Sequence, residues 1–153
     1  MSDDRTAVDV RNRLHQFWRH LLAKLTTNDL HYGHTIPHLM TLAAGAGRGG
    51  LSFRYVARKH DWWVAFNISK DKLEENKRIF DCLEKKKTQI EQDFRGPLDW
   101  LRHDDGKGSQ IISRLATGGY HTHEQDWPTI HKAMIDAMRR LIPALRKHFG
   151  QCG

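Results

Sequence analysis

The run Leu73-Glu74-Glu75-Asn76-Lys77-Arg78-Ile79-Phe80-Asp81, carried on to Gly96-Pro97-Leu98-Asp99-Trp100, decides how this chain is read. Leu73, Phe80, Leu83, Ile90 and Phe94 recur at helical spacing, so one amphipathic helix is expected over this stretch. Ser69 or Asp71 is placed to cap it, and Glu74 and Glu75 suit the positive end of its dipole. Gly96-Pro97 should stop it and hand over to an extended segment bearing Trp100.

Upstream, Leu51, Phe53 and Tyr55 alternate with polar residues. Trp62, Val64, Phe66 and Ile68 alternate with Trp63, Ala65 and Asn67 after the polar turn Arg58-Lys59-His60-Asp61, which predicts a hairpin. Residues 38–44 would add a third strand. Further upstream, Val10, Leu14, Phe17, Trp18, Leu21, Leu22 and Leu25 form the stripe of a helix over about 8–25. Downstream, Leu98–Arg102 and Ser109–Ala116 read as two more strands around an Asp104-Asp105-Gly106-Lys107-Gly108 turn. Asp126 should cap a last helix whose apolar face runs from Ile130 to Phe149, with Pro143 kinking it or marking its last turns.

The expected order is helix, three strands, helix, two strands, helix. That order implies an α+β fold: a mostly antiparallel sheet of about five strands with helices packed on one face. Residues 1–153 read as a single domain, structured from about 8 to 149 with short tails.

Composition narrows the function classes. The hydrophobic fraction of 39% and charged fraction of 28% are those of an ordinary globular chain. No apolar run is long enough to span a bilayer and no signal pattern opens the chain, so a cytoplasmic protein without membrane contact is expected. Cys82 and Cys152 do not make a disulfide framework, and read as a helix-face hydrophobe and an idle tail thiol. The net charge is +7, with nine Lys/Arg against four Asp/Glu in residues 1–60 but eight against nine in residues 61–100. A basic balance favours acidic or phosphate-rich partners without specifying one.

The pattern Glu74-Glu75-Asn76-Lys77-x-x-Phe80-Asp81-x-Leu83-x-x-x-Lys87-x-x-Ile90-Glu91 resembles the helix signature of a bacterial and archaeal domain of unknown function. Gly96-Pro97-Leu98-x-Trp100 and Asp126-Trp127-Pro128 resemble later landmarks of the same family, and the likeness runs from about Phe17 to Phe149. That family's domain occurs alone or at the C-terminus of proteins with a restriction-endonuclease-like nuclease domain. The resemblance implies a setting of DNA restriction or defence, with a nuclease or methylase as a possible partner. One departure stands out: where the family carries an arginine before its last strand, this chain has Gln110.

The remaining motifs are weak. Gly45-x-Gly47-x-x-Gly50 has the letters of a dinucleotide fingerprint, but a strand pattern follows where a helix is needed, so it reads as a glycine-rich turn. Among eleven histidines, His31, His34 and His38 are closely spaced, and His121, His123 and His131 are the set that metal binding would use first. No cofactor and no bound metal is expected. Glu75-x-Lys77 and Glu84-x-Lys86 have the letters of a nuclease centre, but residues two apart on a helix diverge. Asp104-Asp105 reads as a hairpin tip, and no catalytic residue is assigned.

The basic set Arg48, Arg54, Arg58, Lys59, Arg102 and Arg114, with Trp63 among them, is the candidate nucleic-acid-binding surface. Basic and aromatic residues interleaved on a sheet bind phosphates and stack bases. Trp62 and Trp63 must face opposite ways, so one lies under the helices and the other is covered or exposed for binding. The reading is a non-catalytic accessory or binding domain contacting DNA or RNA. The alternatives are a protein-interaction or homodimerisation module and, more remotely, a metal-dependent nuclease using Asp104 or Asp105.

Overall fold

The computed structural model describes residues 2–114 and 117–152, with side chains from residue 7 onward. Helix α1 (Ser2–Ala23) leads to strands β1 (Thr41–Gly45), β2 (Leu51–Ala57) and β3 (Trp62–Ile68). Helices α2 (Leu73–Glu84) and α3 (Lys87–Phe94) follow, then β4 (Asp99–Leu101) and β5 (Ser109–Ser113), a 3-10 turn (Glu124–Asp126) and α4 (Trp127–Phe149). The last two residues of the expected final strand, Leu115 and Ala116, lie outside the described residues.

All strand pairs are antiparallel, and the five strands lie in the order β1-β2-β3-β5-β4. The register sets the two faces. Phe53 pairs with Phe66, Tyr55 with Val64 and Leu51 with Ile68, and all six are buried on the helix side. The alternate row carries Ser52, Arg54 and Val56 against Asn67, Ala65 and Trp63 on the face away from the helices. Trp62 is the tryptophan beneath the helices, at 5% exposure. The core extends from Leu14, Phe17 and Trp18 of α1 through the sheet to Leu141, Leu145 and Phe149 of α4. The Phe149 ring stacks on Phe66 with centroids 5.5 Å apart.

Several local expectations are corrected. The single long helix is two. Leu83 is the last buried residue of α2 and Ile90 the first of α3. The turn between them, where a continuous stripe needs apolar side chains, holds Lys86 and Lys87, so no burial holds the helix together there. Leu73 is 44% exposed rather than part of the stripe. Neither Ser69 nor Asp71 caps α2, whose N-cap residue is Lys72. Helix α3 stops at Arg95, in the left-handed region at φ 66°, while Gly96 donates its N–H back to the Glu91 carbonyl. Asp126 precedes α4 but makes no side-chain cap, and α4 passes through Pro143 to Phe149. The Gly45–Gly50 segment is a strand-to-strand turn, as read. A Cβ on Gly50 would come within 2.5 Å of Lys70 and φ there is +81°, so glycine is required.

The largest correction concerns the cysteines. Cys82 on α2 and Cys152 beyond α4 form a disulfide across 70 residues of sequence, with Cα atoms 5.6 Å apart. Spacing alone carries no sign of this pair, because the fold returns α4 along α2.

Candidate nucleic-acid interface

The β2–β3 turn is rigidly built. Arg58 N–H donates to the Asp61 carbonyl at 2.9 Å, and the Arg58 guanidinium grips the Asp61 carboxylate at 2.7 and 2.5 Å. A second segment clamps the turn from outside, with Tyr120 N–H donating to the Arg58 carbonyl and His121 N–H to the Lys59 carbonyl. The approach is so close that a Cβ on Gly119 would sit 2.2 Å from the Arg58 carbonyl oxygen. Arg13 of α1 fastens the same segment, donating to the carbonyls of Tyr120 at 2.6 Å and Thr122 at 2.6 Å.

Trp63 stands beside this turn on the open face. The Arg58 guanidinium carbon lies 5.0 Å from its ring centroid, and that of Arg114 lies 4.8 Å away. Both distances are within cation–π range. Arg114 reaches Asp99 only at 3.9 Å. Arg54 is diagonal to Trp63 in the register, opposite Ala43 and Ala65, with its Nε donating to Ser52 Oγ at 3.2 Å. Lys59 is exposed at the tip of the turn. The ionic grip of Arg58 holds the Asp61 carboxyl below its ordinary range, with Arg114 adding to the effect. Four cations and one tryptophan are thus gathered at one end of the open face, tempered by Asp61 and Asp99. The two guanidiniums over Trp63 present charge, rather than bare ring, to an incoming ligand.

Two predicted residues lie elsewhere. Arg48 donates to the Phe149 carbonyl at 2.9 Å, meeting the negative end of α4. Arg102 forms a two-point ion pair with Asp81 at 2.8 and 3.0 Å and a further pair with Asp104. Asp81 is correspondingly held below the ordinary carboxylate range. Of the other aromatics, Tyr55 is buried under the helices with its ring 4.7 Å from that of His31.

The far end of the open face is polar and neutral. Gln110 donates to Asn67 Oδ1 at 3.0 Å and lies 3.2 Å from His103 Nε2. The histidines do not assemble. His31 and His131 are buried, and burial lowers their pKa values to about 4 and about 3. His131 packs on Phe17 in the core, whereas His121 and His123 are exposed. Among the described residues, no three His, Cys, Asp or Glu side chains are placed to hold a metal ion.

Sequence reasoning missed the two residues that organise this side of the molecule. Asn76 and Lys77 fall on the inward stripe of α2, where apolar side chains are expected, and both are buried. Asn76 Oδ1 accepts from the Lys70 N–H, and its Nδ2 donates to the Lys70 and Lys107 carbonyls. Lys77 Nζ donates to the carbonyls of Arg102, His103 and Gly108 at 2.5, 2.8 and 2.9 Å, and lies 3.1 Å from Ser109 Oγ. Glu91 of the same signature accepts from the Leu98 N–H and Trp100 Nε1. Their signal is legible in retrospect: polar residues spaced three and four from Leu73 and Phe80 occupy the core-facing row.

The fold and surface thus define an antiparallel α+β domain with helices on one face of the sheet and, on the other, a surface that is basic at one end. The family described as a domain of unknown function (DUF4268) matches residues 14–148, and the chain belongs to it. No curated protein and no solved structure matches the chain. Among the described residues, no helix is long and apolar enough to cross a membrane.

Proposed function

We propose that this is a non-catalytic accessory domain of a DNA restriction or defence system, and that it contacts nucleic acid through the open sheet face. The observation that carries the proposal is Trp63 beneath the guanidiniums of Arg58 and Arg114, in the strand row that faces away from the helices. Arg54 and Lys59 extend the same positive end. Phosphates are the natural ligands of such a group, since guanidinium forks match phosphate oxygens and an aromatic post keeps them extended. The defence setting rests on the resemblance to domains that follow restriction-endonuclease-like nucleases. A non-catalytic role is supported by the commitments of the acidic residues: Asp29, Asp61 and Asp81 are all held by arginines.

Fluorescence anisotropy with labelled single- and double-stranded DNA and RNA tests this reading. Affinity should fall steeply with salt. The Arg54→Glu/Arg114→Glu variant should bind about tenfold or more weakly at unchanged stability. Affinity that ignores both salt and these substitutions would remove the interface. A methylase or nuclease gene adjacent to this one, and co-purification of its product, is the expected sign of the defence setting.

A second reading, association with a second copy, is favoured by the edge strand β1. Its sequence Thr41-Leu42-Ala43-Ala44-Gly45 carries no charge, and Leu39 beside it is 75% exposed. Light scattering across a concentration series separates this reading from the first.

A further inference from the structure

We infer that Cys82 and Cys152 are a thiol-exchange site, at which a low-molecular-weight thiol such as glutathione enters at Cys82 and expels Cys152. The two sulfurs are unequally accessible. Cys152 is buried at 5% exposure, whereas Cys82 is half-buried and lines a cleft of about 670 Å³ along α2. The cleft carries a small excess of positive charge. Its walls carry Lys77, Arg78, Lys85 and Arg102 against three carboxylates, Glu74, Asp81 and Asp104. Arg102 is consumed by Asp81 and Asp104, and Lys77 by backbone carbonyls. Arg78 and Lys85 have no ion-pair partner among the described residues, and they stand one turn to either side of Cys82 on its helix. Positive charge in that position favours both the approaching thiolate and a thiolate at Cys82.

The chemistry is ordinary exchange. A thiolate attacks Cys82 Sγ, the protein S–S bond breaks, and its electron pair leaves on Cys152 Sγ, which takes a proton from water. The product is a mixed disulfide at Cys82 and a free thiol at Cys152. A second thiol then attacks the mixed disulfide, releasing Cys82 as a thiol and the small molecule as its own disulfide. Two electrons pass to the protein, and two small thiols are oxidised. The Cys152 end of the chain is then held by Lys86 Nζ on Gln151 Oε1 and by turn hydrogen bonds to His148 and Phe149. Exchange thus breaks only the covalent tie, and leaves the tail seated by these bonds and the sheet untouched. In a thiol-buffered compartment this pair would respond to redox state, whereas in an oxidising one it would stay closed.

The test treats the oxidised full-length chain with reduced glutathione under native conditions, quenches with acid and maps the peptides by mass. The first mixed disulfide is expected on the Cys82 peptide with Cys152 free. A first adduct on Cys152, no adduct short of global unfolding, or a chain that remains a dithiol after mild oxidation overturns the inference. Independently, Cys82 in Cys152→Ser should react with an aromatic disulfide about tenfold or more faster than Cys152 in Cys82→Ser. Equal or inverted rates overturn the inference as well.

Discussion

Lys77 and Arg114 are both cations, but the molecule uses them in opposite ways. Lys77 is buried, and its ammonium is spent on three carbonyls and a hydroxyl of the β4–β5 connection. Arg114 is exposed, loosely approached by Asp99, and lies over an indole. Around Lys77 the polar groups satisfy one another, so the region is a joint between a helix and a loop. Around Arg114 four cations meet two carboxylates, so the region keeps positive charge at its surface. Charge count alone cannot separate these roles. The number of acceptors already committed to each cation does so.

Perturbations on the two sides should therefore differ in kind. The largest effect is expected at the helix side, where the disulfide closes a long loop. Cys152→Ser should lower unfolding free energy by about 4 kcal/mol relative to the oxidised chain, on chain-entropy grounds. Urea denaturation with and without reductant measures it, and wild type under reductant should converge on the variant. Next comes Lys77→Met, which keeps the stem and deletes the ammonium. Deleting the ammonium, which leaves Ser109 Oγ on the Arg102 carbonyl and the Gly106 N–H on the His103 carbonyl, should cost about 3 kcal/mol and roughly 10 °C of melting temperature. A loss well under 1 kcal/mol would show that water replaces the ammonium and that the joint is not structural.

Acid should act on the buried histidines. Burial lowers their folded pKa values to about 4 for His31 and about 3 for His131, below the unfolded value near 6.5. Over that interval the unfolded chain binds protons that the folded chain refuses, so stability falls as pH drops below about 6.5. By pH 5 each histidine should withdraw about 2 kcal/mol. His131→Leu should flatten the pH dependence of the urea midpoint by its share, and an unchanged slope would place the loss elsewhere. The smallest effect on stability belongs to the open face. Arg54→Glu/Arg114→Glu should move it by no more than about 0.5 kcal/mol, while any nucleic-acid affinity collapses. A large stability loss there would make the open face a structural surface like the other.

The strand part of the fold was readable because its signal is local. Leu51–Tyr55 and Trp62–Ile68 alternate in strict period, and the polar turn between them leaves one register. The faces followed from the same alternation, which is why Arg54, Arg58, Arg114 and Trp63 could be grouped in advance. Arg48 and Arg102 could not be assigned from sequence. Their partners, the Phe149 carbonyl and Asp81, are brought near only by tertiary packing. The break between α2 and α3 has no glycine or proline to announce it, only two lysines where the stripe needed apolar residues. Arg95, not Gly96, takes the left-handed position, so the stop was foreseen one residue late. Asn76 and Lys77 are absent from the expected stripe because their residue types suggest water, although their positions on the helix point inward.

The sulfur bond also changes how the molecule bears load. It closes a covalent ring from Cys82 to Cys152 that contains α3, β4, β5 and α4, while α1 to β3 remain on the open chain. A machine drawing in the polypeptide from its C-terminal end pulls on Cys152 and, through the sulfurs, on Cys82 at the same instant. Tension bypasses α4 and the last strands and arrives on α2. The ring must then pass any narrow entrance as a doubled strand, with the chain before Cys82 drawn in beside it. Oxidised, the domain resists threading from that end; reduced, it can be drawn in as a single file.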